Sequence, residues 1–526
     1  MLWAGCLLLA GVGLFTLYLR QSRLAPFNSD GASIILQANS MLHGNPLLSG
    51  WWTADVSFYT IELPEYVLAE VFRGLRPDVV HICGALTYTL TVLLAALLAR
   101  GRARGWAGVA RALLAAGLML APGIVGGTEA LLENPDHLGT AVPILTMLLL
   151  PDRAPERWYV PAAVCGLLAW TQVADQLTLV AATAPVAVVA VVRLRALAVR
   201  RRPRQGLWYD ALLLVAAIVS AGVGWAAGAI IRGLGGFHQS PLVYGLLSPA
   251  SRIPANMRVL GQTLLLLFGA NNPGHANPGG TRQMLAIIAE LHLIGLAVAA
   301  AGFAVAVAVF LSSRTDRVTQ IVVAGTVATL AVGVFGTVLP SLANAHEIAI
   351  VLPFGAVLAG RTLPSLIPGR WRASRVAAPA LAVWLASGLA ALCFAASQPP
   401  IRSADQELAN WLAGHQYTEG LAGYWQANVT TVTSGGKVLV APVNYQATAV
   451  WRWYSSVSRY DQGRRRANFV VAVTDPGAGQ GGLSTAAVRR SFGPPARQYH
   501  VGQYVVMVYD YNLLTRLTGA TLGGTG

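Results

Sequence analysis

LWAGCLLLAGVGLFTLYLRQSRLAPFNSDG, residues 2–31, decides how the rest of the chain is read. Residues 2–19 are an apolar run close to the ~20 residues that cross a bilayer as a helix. The run ends in Leu19-Arg20-Gln21-Ser22-Arg23 with no small-residue cleavage site, so it is expected to stay as an anchor. Directly after it the chain turns polar at Asn28-Ser29-Asp30-Gly31. Ser29 or Asp30 is a natural N-cap, and Ile34, Ile35, Ala38, Met41 and Leu42 follow on one helical face until His43-Gly44-Asn45-Pro46 stops the helix. An anchor is thus followed at once by an amphipathic helix expected to lie in the membrane interface.

The composition agrees with that start. Of 526 residues, 55% are hydrophobic and only 11% charged, and the mean hydropathy is +0.55. A soluble globular surface of this size needs more charge, so the chain is expected to be a polytopic α-helical membrane protein. Eleven apolar segments are read as spans, near 2–19, 80–99, 107–126, 138–150, 158–172, 176–192, 209–231, 284–311, 318–339, 347–360 and 376–396. Lys and Arg number 37 against 22 Asp and Glu, a net +15, and Lys437 is the sole lysine. The arginines concentrate in alternate short loops, as in Arg100, Arg102 and Arg104, Val199 to Arg204, and Arg370, Arg372 and Arg375. That alternation is the positive-inside pattern; it places those loops and the N-terminus in the cytoplasm and argues against nucleic-acid binding. All four cysteines lie in hydrophobic stretches, so no disulfide framework is expected.

On this topology three long pieces face outward: 20–79, 232–283 and 397–526. The first carries Asp30, Asp55, Glu62, Glu65, Glu70 and Asp78, whereas the second carries Arg232, Arg252, Arg258, Arg282, His238 and His275 and no acid. The first is expected to hold a second interfacial helix starting near Pro64 and ending at Gly74, with Trp51, Trp52, Phe58 and Tyr59 at headgroup depth. In the second, residues 263–268 are too short to cross and read as re-entrant or interfacial, followed by a loop over a cleft from Gly269 to Gly280. The third alternates strand-like runs at 437–443, 468–474 and 503–510 with helical ones near 403–413, 447–457 and 484–491, which suggests a small α/β domain. The expected division is therefore a transmembrane domain over 1–396 and an extracytoplasmic soluble domain over 397–526.

Asp30 is the sharpest chemical feature, held near the membrane surface at a helix start. Its carboxylate is placed to act as a general base toward an acceptor hydroxyl or amine; the plain alternative is an N-cap and nothing more. Glu129, Glu133, Asp136 and His137 crowd between the third and fourth spans, Asp175 lies in a very short turn, and His346-Glu347 begin the tenth span. Ionisable groups at such depth are costly and flag function. Glu290 and His292 are two apart on a helix and do not share a face, so at least one is expected to serve only packing or hydrogen bonding. Arg232, Arg252, Arg258 and His238 suit a phosphate, with lipid headgroup attraction as the alternative. The Asp, Glu and His donors suit Mg2+ or Mn2+, but no DxD or HExxH spacing is present, so a divalent cation stays open and unassigned. Asn428-Val429-Thr430 matches a glycosylation sequon, a short match that is common by chance.

One span, then Asn28-Ser29-Asp30-Gly31, then Glu62-Leu63-Pro64-Glu65-Tyr66, resembles the integral-membrane glycosyltransferases of the GT-C fold, and most of all the protein mannosyltransferase and aminoarabinose transferase group. Gly423-Tyr424-Trp425-Gln426-Ala427-Asn428 with Thr433-Ser434-Gly435-Gly436 looks like the soluble extension of actinobacterial-type members. The resemblance implies a GT-C-like fold at the plasma membrane and transfer of a sugar, with inversion, from a polyprenyl-phosphate carrier to an extracytoplasmic glycan, lipid or protein acceptor. It implies Asp30 as the catalytic Asp, with Asp136 or Glu133 nearest to a second family acid. The basic residue that usually precedes a Pro-Pro pair in the group is absent before Glu62-Leu63-Pro64. Glu62, Glu133, Asp136, His137 and His346 are then expected to position sugar or acceptor, and Arg232, Arg252, Arg258 and His238 the carrier phosphate. A single displacement needs no cofactor. The competing expectation is a membrane transporter or lipid flippase, which would need its polar groups near mid-membrane.

Overall fold

The computed structural model describes residues 2–124, 126–133, 137–199, 207–240, 247–271, 280–312, 315–366, 377–401, 403–475 and 481–519. The first fourteen α-helices run in order: α1 (Leu2–Ser22), α2 (Ser29–Leu42), α3 (Glu62–Arg73), α4 (Asp78–Arg100), α5 (Gly105–Met119), α6 (Gly127–Leu132), α7 (Ala141–Arg153), α8 (Tyr159–Ala174), α9 (Ala184–Val199), α10 (Leu207–Gly233), α11 (Ile253–Leu267), α12 (Gly280–Ala308), α13 (Arg317–Phe335) and α14 (Val351–Leu366). Later helices are Ala377–Ser397, Ala404–Gly414, Tyr424–Thr433 and Thr485–Phe492.

Every segment expected to be a span holds a helix. Among the described residues, six helices are long and apolar enough to cross a membrane, or seven if the bent pair Leu342–Ile348 and Val351–Leu366 is one span. The protein is a multi-pass membrane protein. The helices Leu7–Ser22, Gly105–Met119 and Tyr159–Ala174 are apolar but shorter than the length of a full span. Residues 263–267, read as part of a re-entrant or interfacial stretch, finish the 15-residue helix α11, which Phe268 caps; Thr263, Leu266 and Leu267 are buried on one of its faces. The loop expected over a cleft lies mostly outside the described residues.

The chain forms two compact units. The first comprises Met1–Ala25, Gly84–Gly228 and Val243–Pro400. Its helices approach closely through small residues: a Cβ on Gly302 would stand 2.4 Å from the Cα of Ala359, and one on Gly360 would stand 2.6 Å from the backbone oxygen of Arg111. Such contacts replace the hydrophobic driving force that lipid does not supply between apolar helices. At the arginine-rich ends, Arg361 pairs with Asp152 at 2.8 Å and Asp316 at 2.9 Å, and Arg317 pairs with Asp210 at 2.7 Å and Glu156 at 3.1 Å. These arginines therefore also stitch helix ends together.

The second unit comprises Pro26–Cys83, Ala229–Leu242 and Ile401–Gly526. Compactness thus groups residues 26–83 and 229–242 with the tail from Ile401 onward. α2, expected to lie in the interface, is buried within the protein from Ser29 through Ala38 apart from Asp30, packed against α3 and the Tyr424–Thr433 helix. Its apolar face meets Leu63, Tyr66, Val429 and Val432 in one core. Trp51 and Phe58, expected at headgroup depth, are buried in that same core. Trp51–Thr53 is β1, paired in parallel with β2 (His238–Gln239) and antiparallel with β5 (Ser455–Ser456).

The tail carries a five-stranded mixed sheet of β3 (Glu419–Gly423), β4 (Leu439–Val443), β6 (Phe469–Val473), β7 (Arg497–Val501) and β8 (Tyr504–Val508), in the order β4-β3-β6-β8-β7. β3 runs parallel to β4 and β6, and the Tyr424–Thr433 helix is the crossover from β3 to β4. Alternate residues feed two cores: Val470, Ala472, Val505 and Met507 on one face, Val471, Val473, Val506 and Val508 on the other. Residues 447–456, expected to be helical, are not, and Val457 opens the 3-10 turn Val457–Tyr460. Val450 bridges to Val443 and Ser455–Ser456 joins β1, so pairing with strands distant in sequence overrides the local helical spacing.

Candidate active site

Asp30 stands in the first turn of α2, but it does not cap the helix. Asn28 does, its side-chain oxygen accepting from the Gly31 amide at 3.0 Å, with Asn28 in extended backbone. Neither Ser29 nor Asp30 is therefore the N-cap. The Ser29 hydroxyl donates to the backbone oxygen of Tyr424 at 2.6 Å, and the Tyr424 hydroxyl donates to Asp30 Oδ1. Burial pushes the Asp30 carboxyl above the usual Asp range, and the Tyr424 hydrogen bond partly opposes that rise. Burial and the neighbouring Asp30 charge push the Tyr424 phenol well up, so it stays a donor. The helix N-terminus adds a positive field that favours a carboxylate there.

A second layer locks this pair. Asn428 donates to Ser33 Oγ at 2.7 Å and to the Tyr454 carbonyl at 3.0 Å, and accepts from Arg459 at 2.7 Å. Asn428 is 1% exposed, which makes the sequon a buried structural contact and not a glycan acceptor. Sequence reasoning missed both β3 and the helix that presents Tyr424; the signal was the run Gly420-Leu421-Ala422-Gly423 ahead of Tyr424.

Of the other expected residues, Glu62, Arg232 and His238 fall in the same compact unit as Asp30. Glu62 is fully buried as the first residue of α3, whereas Arg232, in the last turn of α10, and His238, in β2, are exposed. Glu70, also on α3, accepts from Asn39 at 2.6 Å; burial raises its carboxyl to about 7 against the opposing effects of Asn39 and His43.

The first unit brings together His137 and His346 but not the arginines. His137 Nδ1 lies 2.8 Å from Asp175 Oδ2 and its Nε2 lies 3.0 Å from Glu347 Oε2. Burial would lower the His137 pKa, but the two carboxylates outweigh it and raise it well above the ordinary value. The His346 ring stacks on His137 at 5.8 Å with an interplanar angle of 3°. Glu133 flanks the end of α6, and Arg252 and Arg258 are exposed. Asp136 lies outside the described residues. His292 hydrogen-bonds the Gly269 carbonyl at 2.9 Å, a packing role as expected for one of the pair with Glu290.

No protein-family profile and no curated protein matches this sequence. Solved structures do match. ArnT from Cupriavidus metallidurans, bound to undecaprenyl phosphate, superposes with a TM-score of 0.55 at 13% identity, covering 99% of each chain. The chain has the GT-C fold. The archaeal oligosaccharyltransferase AglB from Archaeoglobus fulgidus, in complex with an inhibitory peptide and a dolichol-phosphate, is similar at a TM-score of 0.49 and 13% identity, over 89% of this chain and 69% of that one. The GT-C likeness to ArnT runs from end to end, so the tail is included in it.

Proposed function

We propose that the protein is an inverting glycosyltransferase that moves a sugar from a polyprenyl-phosphate carrier to an extracytoplasmic glycan, lipid or protein acceptor, with Asp30 as general base. The observation that carries this reading is the Asp30–Tyr424 pair: a half-buried carboxylate at a helix start, a few residues in sequence after a span, held by one phenol, in a chain with the fold of a protein crystallised with undecaprenyl phosphate. Burial with a single donor makes a better proton acceptor than a solvated or multiply bonded carboxylate.

In the step itself, Asp30 takes the proton from the acceptor hydroxyl or amine as that group attacks the anomeric carbon. The bond from that carbon to the phosphate oxygen breaks, and the phosphate leaves with the electron pair. One displacement inverts the anomeric centre and needs no covalent enzyme intermediate. Arg232 and His238 are assigned to the carrier phosphate and Glu62 to sugar positioning. Arg252 and Arg258 are further assigned to the carrier phosphate, and Glu133, Asp136, His137 and His346 to sugar or acceptor positioning. Eleven spans, a cytoplasmic N-terminus and an extracytoplasmic domain over 397–526 belong to this reading.

The test is a reconstituted transfer assay with radiolabelled polyprenyl-phosphate mannose, glucose and arabinose. One donor is expected to be used with inversion, and Arg232→Ala is expected to raise KM for it. Transfer from none of the three sinks the reading.

A further inference from the structure

In the first compact unit, interrupted helices bring charged side chains together. His137 opens the 3-10 turn His137–Thr140 ahead of α7, and Asp175 follows α8, before the π turn Leu179–Thr183. His346 and Glu347 lie in the turn Leu342–Ile348, which is bent by 52° from α14. Broken helices and π turns in membrane proteins re-aim side chains and accompany ion sites.

The donor geometry goes further. His137 Nδ1 is committed to Asp175 Oδ2 at 2.8 Å, and Asp175 is itself fixed by the Thr140 hydroxyl at 2.6 Å and the Leu177 amide at 2.8 Å. This carboxylate–imidazole arrangement orients the ring of a metal-ligating histidine. The remaining nitrogen, Nε2, faces Glu347, and one donor atom each from His137, His346 and Glu347 lies within 4.8 Å of the others. Donors about 2.1 Å from a tetrahedral ion stand roughly 3.4 Å apart, so a small side-chain closure suffices.

We propose that His137, His346 and Glu347 hold one divalent transition-metal ion of the zinc class, with Asp175 as the positioning carboxylate behind His137. Two imidazoles and one carboxylate are the donor set of a zinc site that keeps a fourth position open, and imidazole favours zinc over magnesium. A cavity lined by Thr140, Leu177, Thr329 and Val338 adjoins the cluster and gives that fourth position room. The ion site does not depend on the Asp30 reading and can stand or fall alone.

The experiment loads chelator-stripped, detergent-purified full-length protein with Zn2+, desalts it and counts retained zinc. Wild type is expected to keep one zinc per chain and Glu347→Gln and His137→Ala less than a tenth of that. Asp175→Asn is expected to bind about 10–100-fold more weakly. Glu347→Gln preserves shape and neutralises charge, so it decides the matter if the alanine variant does not fold. Zinc should raise the melting temperature of wild type and not that of Glu347→Gln, and Co2+ should give four-coordinate visible bands only in wild type. No retained zinc in wild type, or equal retention in Glu347→Gln, overturns the proposal and leaves a salt-bridge cluster only.

Discussion

At Asp30, two opposing effects set the proton affinity. Burial raises it and the Tyr424 hydroxyl lowers it. Tyr424→Phe removes the lowering effect, so the acidic limb of the pH–kcat/KM profile should move to higher pH. A hydrogen bond to a charged group contributes about 1.5–3 kcal/mol, so kcat/KM should also fall by roughly 10–100-fold near neutrality. An unchanged profile would mean that Asp30 is not the titrating base. Glu70 offers a separate readout. Its carboxyl rises from 4.5 to about 7 on folding, so its contribution to stability is fully present below 4.5 and is lost as pH rises through 7. Glu70→Gln should therefore melt at the same or a lower temperature than wild type at pH 4.5 and gain on it progressively up to pH 8, as followed by thermal unfolding in detergent. A gap that does not change with pH would contradict the linkage.

At the scale of elements, α2 holds Asp30 in place because it is packed against both α3 and the Tyr424–Thr433 helix. Its existence and ends were legible: the Ile34, Ile35, Ala38 spacing and the His43-Gly44 stop correspond to Ser29–Leu42. Its burial was not, because its covering helix comes some four hundred residues later and that helix was not foreseen. Tyr424 as the partner of Asp30 was invisible for the same reason, and so was the joining of Trp51–Thr53 to Ser455–Ser456. The strands at 439–443, 469–473 and 504–508 were legible from their own β-branched runs. The clustering of His137, Asp175, His346 and Glu347 needed three separate breaks to converge, which no local pattern encodes. In the first unit, the α12–α14 and α5–α14 contacts depend on Gly302 and Gly360. Gly360→Leu must displace the backbone of α5 or α14; overpacking of this kind costs about 1–3 kcal/mol or more. A clear drop in melting temperature is expected, and none would refute the close contact.

For the whole molecule, arginine placement supports orientation while Arg361 and Arg317 show that the same residues bind helix ends together. Single-cysteine labelling from outside intact cells should modify a cysteine placed at the exposed Arg464 and leave one placed at Arg104 unmodified. The opposite pattern would invert the assigned topology. The proposed function rests on Asp30, half-buried at the start of α2 and held by Tyr424, as the group that accepts the acceptor's proton. The most direct measurement is the transfer rate of Asp30→Asn against wild type, at equal folded protein judged by melting temperature, with the polyprenyl-phosphate donor that wild type uses. A loss of about 10²–10⁴-fold in kcat with an intact melting transition is predicted; transfer at the wild-type rate would contradict the account.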